Sequence, residues 1–544
     1  MPVPPGGAAS GMRSSGRPDR RPTAALWPPA LYALLLLVQV ARILHLNEGV
    51  FTYTLDDPYI HLAVAEGISR GAYGINPGQF AAPSSSILWP WLLAPFIRLP
   101  FAHLVPLILN AVCGGLTVAL FFRIIRAGFR SADAGQDDRP AAVIAALLIP
   151  ATNLVGLALT GMEHSLQVLV ATVVIHGWVV MDERARPPWW FLAALVLGPL
   201  IRYEMFALTL PALGILLVRR QWTAAVGTGL VVAGLTGAFS LFLIRHGLEA
   251  LPTSVTAKSD VITTGGSFAA ALAHFRGQLD VDGRAMPRVA IAVLLLATAV
   301  RRSAPLRARH LAGCCAAATL GFALGGTGAY GNRYEIFVWV ALLLALLYVH
   351  AGAVARFIVD ARGPLALTVG LLAVPVLSWN YVREVALSDL GANNIHQQQY
   401  QMHRFVADFH RGPVAANDIG CLAYRNEHAV VDLAGIVAPG IWRQRLESED
   451  VRWMDTAARA AGARCAMVYE DWFRGIPVNW VPVAELHLGR RLVSCAGPTV
   501  TFFATGADEA TALREQLLAF GATLPSGVRL EIRDESRQPS ADRF

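Results

Sequence analysis

LDDPYIHLAVAEGISRGAYGINPG, residues 55–78, follows closely on an apolar run from Ala24 to Leu44, and that order decides how the chain is read. A bilayer span takes roughly 20 mostly apolar residues. The run meets that length and lacks a small-residue cleavage site, so it reads as an uncleaved first span. Residues 1–23, rich in Pro, Gly and Ser with Arg13, Arg17, Arg20 and Arg21, are expected to form a disordered cytoplasmic N-terminus. Residues 46–86 then emerge on the opposite side. Within them Pro58 suits the first position of a helix, which places Asp57 at the N-cap. Ile60, Val64, Gly67 and Ile68 form a stripe at helical spacing, and Gly71 supplies a stop. The expected element is a short amphipathic helix lying in the membrane interface. Capping would engage Asp57 and leave Asp56 the freer carboxylate. The plain structural reading is a cap beside a solvated neighbour, but paired carboxylates at a membrane boundary are also well placed to meet the head of a lipid-linked substrate.

The composition agrees with membrane residence. The 544 residues are 55% hydrophobic and only 15% charged, with a mean hydropathy of +0.47, too apolar for an ordinary soluble protein. The formal net charge of +7 is read as orientation signal on cytoplasmic loops, not as affinity for nucleic acid. Lys258 is the only lysine, a bias that genome composition explains more simply than function does. The six cysteines show no CxxC pair and no metal-like spacing with histidine. Cys421, Cys465 and Cys495 fall in a region expected in an oxidising compartment, where one disulfide and one leftover thiol are allowed.

Further apolar stretches lie near 101–125, 141–158, 161–181, 189–201, 204–218, 222–244, 287–300, 311–329, 336–355 and 364–382. Arginine clusters at 123–130, 184–186, 219–220, 301–309 and 356–362, all placed inside, fix the path. The chain must cross an odd number of times before Arg123, so Ile87–Ile97 is expected to be a juxtamembrane or partly inserted helix. About eleven transmembrane helices over residues 24–382 follow, with the C-terminus outside. Residues 383–544 change pattern. Helical stretches at 395–410 and 451–461 alternate with strand-like ones at 413–416, 429–431, 465–469 and 499–504, which predicts a small extracytoplasmic α/β domain with a loose polar tail after Ser526.

The acidic pair, its place after the first span, the run Pro83-Ser84-Ser85-Ser86-Ile87-Leu88-Trp89-Pro90 and the multispan body with an outer domain resemble the GT-C superfamily of polyprenyl-phosphate-sugar-dependent glycosyltransferases, which includes protein mannosyltransferases and mycobacterial arabinofuranosyltransferases. The resemblance implies a multi-pass enzyme of the inner (plasma) membrane with its active site on the outer face. It implies a polyprenyl-phosphate sugar as donor and an envelope glycan, glycolipid or protein as acceptor. It makes Asp56 the catalytic base, supported by Asp57. Glu163, in the turn Thr160–Ser165, resembles a second acidic position near the sugar; a salt bridge to an arginine such as Arg202 accounts for Glu163 and Glu204 equally well. For the phosphate, Arg202 and Arg333 at outer helix ends are the candidates, because guanidinium binds phosphate oxygens in pairs and stays charged; Lys258 is a third. Glu204, Tyr334 and His61 complete the expected substrate-binding set, although a histidine such as His61 is more often a helix-surface residue than a ligand. No cofactor is certain. Dependence on a divalent cation stays open, with Asp57 and Glu163 as the ligands if one binds. The run Asn417-Asp418-Ile419-Gly420, followed by Val431-Asp432-Leu433-Ala434-Gly435, resembles C-terminal domains appended to such transferases.

Two other classes compete. A lipid or glycan transporter or flippase would show internal repeats and charges near the midplane, and the sequence shows neither. A non-enzymatic envelope protein would need one anchoring span, not eleven.

Overall fold

The computed structural model describes residues 23–133, 137–182, 185–256, 276, 285–326, 333–360 and 364–533. Lys258 lies outside the described residues, as do residues 1–22 of the stretch that was read as cytoplasmic.

The chain is mostly helical, with one sheet near the C-terminus. Among the described residues, three helices are long and apolar enough to cross a membrane: Ala24–Leu46, Ala102–Ser131 and Trp222–Arg245. A fourth span results if Ile336–Val349 and Ala351–Ile358, bent by 71° at His350, count as one. A 24-residue helix is about 36 Å long, enough for the roughly 30 Å hydrocarbon layer. The outward faces of these helices carry Leu34, Leu37, Val112, Leu116 and Leu230, as expected where lipid replaces water.

Most remaining apolar stretches are shorter helices: Arg139–Ala151, His164–Val180, Trp189–Ile201, Tyr203–Val218 and Met286–Val300. The stretch expected near 141–158 is broken at Asn153, a non-glycine residue with φ of 51°, and resumes as Leu154–Leu159. Such interruptions are tolerated at membrane depth only where neighbouring protein covers the freed backbone groups. Here Leu154 to Leu159 are all buried. Ile87–Ile97 forms the five-residue helix Trp89–Leu93 and a 3-10 turn, Ala94–Phe96.

The C-terminal sheet has six strands: β1 Val414–Ala416, β2 Val430–Asp432, β3 Cys465–Val468, β4 Val481–His487, β5 Thr499–Ala504 and β6 Arg529–Ile532. Their order is β2-β1-β3-β5-β4-β6. β1 runs parallel to both β2 and β3, with Val414 opposite Val430 and Cys465; β3–β5, β4–β5 and β4–β6 are antiparallel. The segment after Ser526 is not all loose, because Leu530 and its neighbours form β6 on the edge of β4. All six cysteines are buried free thiols, so neither β3's Cys465 nor Cys421 or Cys495 forms the disulfide that sequence allowed.

Two findings bear on the site. The helix Trp379–Gln397 runs through the expected boundary at residue 383. Tyr53, Tyr59, Ile60, Leu62 and Val64 of the first loop share one hydrophobic core with Met402, Phe405, Val414 and Cys465 of the sheet domain. The loop and that domain are therefore packed as one body, and the helix Asp57–Ser69 is not an interfacial helix with a wet face. Pro58 to Ala65 are all buried, because the sheet domain covers the side that lacks the apolar stripe.

Candidate active site

The helix Asp57–Ser69 begins one residue earlier than the Pro58 signal suggested, and Asp56 holds the N-cap position. Gly71, with φ of 84°, follows its last turn and donates its N–H to the carbonyl of Ile68. The Asp56 side chain makes no cap hydrogen bond to that helix. Asp56 turns its carboxylate away from its own helix to the sheet domain, where the N–H groups of Gly420 and Cys421 donate to Oδ2 at 2.5 Å and Oδ1 at 2.8 Å. Asp57, expected to be held by capping, instead pairs with Arg333 at 2.5 Å. The expected roles are thus exchanged: Asp56 is the carboxylate gripped by backbone, and Asp57 stays 31% exposed beside a cation.

Asp56 is approached by a second carboxylate that sequence reasoning did not place in the site. Asp418 lies just past the end of β1, and Tyr469 just past the end of the parallel neighbour β3. Asp418 Oδ2 accepts hydrogen bonds from Gln399 Nε2 at 2.8 Å and from the Tyr469 hydroxyl at 3.2 Å. The signal was available: Asn-Asp-Ile-Gly directly after a short strand is a turn at the carboxyl end of parallel strands, where α/β folds place their sites. Burial, and then the charge of Asp418, push the Asp56 carboxyl up to about 7, against the lowering effect of the two N–H groups and with a smaller push from Asp57. Asp418 is raised as well, chiefly by burial. A carboxylate with a value near neutrality is suited to proton transfer.

The other expected residues form a connected buried network. Arg202, 2% exposed, pairs with Glu163 at 2.6 Å and with Glu204 at 2.6 Å, and donates to Ser85 Oγ at 3.2 Å. Glu163 is fully buried and reaches His61 Nε2 at 3.5 Å; His61 Nδ1 lies 3.1 Å from Ser84 Oγ. Two guanidiniums approach the Tyr334 ring, Arg202 at 4.4 Å and Arg333 at 5.2 Å from its centroid, with His164 stacked at 5.7 Å. The structure therefore brings together Asp57, Arg333, Tyr334, Arg202, Glu163, Glu204 and His61.

That grouping bears on three of the expected residue roles. Arg202 is not poised for phosphate, because its donors face Glu163, Glu204 and Ser85 below the surface. Asp57 and Glu163 each face an arginine, and among the described residues no group of three or more His, Cys, Asp or Glu side chains is arranged to hold an ion. His61 is not a helix-surface histidine; it is 2% exposed. Arg333 differs from Arg202 in lining a small cavity of about 30 Å³ with Thr54, Asn153, Thr160 and Ser494. A larger cavity of about 510 Å³ is bounded by Tyr59, His103, Tyr400, His403, Tyr424 and Arg425, and by Cys421, whose N–H holds Asp56.

Comparison with solved structures places this architecture. The chain is similar to ArnT from Cupriavidus metallidurans in a crystal structure described as bound to undecaprenyl phosphate, with 12% identity, a TM-score of 0.51, and 89% of this chain and 99% of that one covered. The apo form of the same protein gives 13% identity and a TM-score of 0.52 over 89% and 98%. An oligosaccharyltransferase from Archaeoglobus fulgidus matches at 10% identity and a TM-score of 0.46, covering 91% and 74%. This chain has the GT-C fold. Residues 393–503, most of the sheet domain, match a family model described as a domain of unknown function (DUF8728). No curated protein matches the sequence.

Proposed function

We propose that the chain is a membrane glycosyltransferase that moves a sugar, with inversion, from a polyprenyl-phosphate donor to an envelope glycan, glycolipid or protein. The observation that carries this reading is Asp56: on a GT-C fold, the first carboxylate of the acidic pair is fixed by two backbone N–H groups and its ionisation lies near neutrality. An ArnT of similar fold is described as bound to undecaprenyl phosphate, which favours a lipid-phosphate donor.

A carboxylate oxygen has more than the one lone pair that an N–H donor uses, so a held carboxylate can still accept a proton. As the acceptor hydroxyl attacks the anomeric carbon, Asp56 takes its proton, the bond from that carbon to the phosphate oxygen breaks opposite the attack, and polyprenyl phosphate leaves. Arg333 meets the departing phosphate, and Asp57 holds Arg333 in place. The larger cavity, with aromatic faces and histidine and arginine donors in its wall, suits a sugar-bearing acceptor. About eleven spans, an outward-facing site and an extracytoplasmic sheet domain belong to the same reading.

The test uses purified protein in proteoliposomes with labelled polyprenyl-phosphate sugars and an envelope extract as acceptor. Asp56→Asn replaces an acceptor oxygen by NH2 and so costs one N–H bond to the sheet domain, about 1–3 kcal/mol. A base contributes roughly 10²–10⁴-fold in rate. Loss of transfer on that scale in protein that still melts cooperatively supports the role, and retained transfer refutes it.

A further inference from the structure

Resting on that reading, we propose that the sheet domain completes the active site: the turn Asn417–Cys421 is a working part of it, with the Gly420 and Cys421 amides orienting the base and Asp418 a positioning residue beside it. Three observations converge. The two amides bind one oxygen each of Asp56, which fixes the plane of the carboxylate as well as its place. Gly420 is required by close approach, since a Cβ there would stand 2.1 Å from the carbonyl oxygen of Asp56 and 2.7 Å from its Oδ2. Asp418 is itself fixed, by Gln399 from the helix Gln399–Arg404 and by Tyr469 from the end of β3. Two separate elements thus hold a second carboxylate near the first, where a mere domain contact would call for none.

The arrangement also accounts for an energetic cost. Two buried carboxylates near each other are unfavourable when both are ionised, and a fold that only needed to dock a loop would do better with a neutral side chain at residue 418. Placed beside a base, the second charge makes Asp56 more avid for a proton. The titratable and charged groups that face Asp56 are Asp57 and Tyr59 from its own helix, Asp418 and Cys421 from the turn, Tyr469 after β3, Cys495 from the segment before β5, and Arg333 through Asp57. Among the carboxylates, Asp418 has the larger effect on Asp56 and Asp57 the smaller.

The experiment is the pH profile of kcat/KM for sugar transfer by full-length protein in proteoliposomes, comparing wild type with Asp418→Asn, Asp418→Glu and Gly420→Ala, each normalised to folded protein. Asp418→Asn is expected to move the acid limb to lower pH, and Asp418→Glu to return it toward the wild-type position. Gly420→Ala pushes Asp56 out of place and is expected to lose roughly 10²-fold in turnover. A structural role for Asp418 would lower the yield of folded protein and leave the limb where it was. An acid limb unmoved by Asp418→Asn, or Gly420→Ala turnover within twofold of wild type, overturns this inference while wild-type transfer and its loss in Asp56→Asn still stand. Absence of transfer by the wild type overturns the enzymatic reading and this inference with it.

Discussion

Replacing Arg202 by Met separates a structural arginine from a phosphate ligand. Methionine keeps an unbranched apolar stem but removes the cation that Glu163 and Glu204 face at 2.6 Å each. Glu163 is fully buried and Glu204 is 19% exposed, so Glu163 suffers most. Removing one partner of a buried pair costs about 3–5 kcal/mol, because the remaining charge is left uncompensated. Native proteins have only about 5–15 kcal/mol to lose, so Arg202→Met should melt far below wild type by intrinsic fluorescence in detergent. Adding Glu163→Gln removes the stranded charge, and the double variant should recover a substantial part of the loss, since neighbours in one network are non-additive. Donor KM, measured on the folded fraction, should change little. A variant that melts with the wild type while its donor KM rises tenfold or more would show that Arg202 contacts phosphate and that the buried network was misread.

Two further outcomes follow from the same geometry. Burial and Asp418 push Asp56 up to about 7, and only the carboxylate accepts a proton, so wild-type kcat/KM should rise with pH through that value. At one unit below it, roughly a tenth of the enzyme carries the active form. A profile flat between about pH 5.5 and 8.5 would remove Asp56 from the chemistry. Arg333→Gln should raise donor KM by roughly 10- to 100-fold, the worth of a charge-assisted contact, with a modest loss in melting temperature because Asp57 is partly exposed. Unchanged donor KM would move the phosphate contact elsewhere.

Much of the layout was legible in local pattern. The first span, the helix behind Pro58, its stop at Gly71, and strands at β1, β2, β3 and β5 all depend on features within a few residues: apolar periodicity, proline and glycine. β4 and β6 escaped notice. β4 contains Pro482, where its pairing with β5 shifts register, and β6, an edge strand, alternates exposed and half-buried residues. The domain boundary at residue 383 was drawn from a fall in hydrophobicity, but the helix Trp379–Gln397 crosses it because its buried face, including Asn393 and Asn394, packs through polar contacts that hydropathy does not score.

Local pattern along the chain is enough to place two carboxylates ahead of a helix, behind a membrane-length segment, with a strand-and-helix region far downstream. Which partner each carboxylate meets depends on how distant segments pack. Asp57 meets a cation 276 residues away and Asp56 meets amides 364 and 365 residues away. Adjacent residues on one backbone point in different directions, and the partner each one finds is set by which distant segment the fold brings to that side, information that no local periodicity carries.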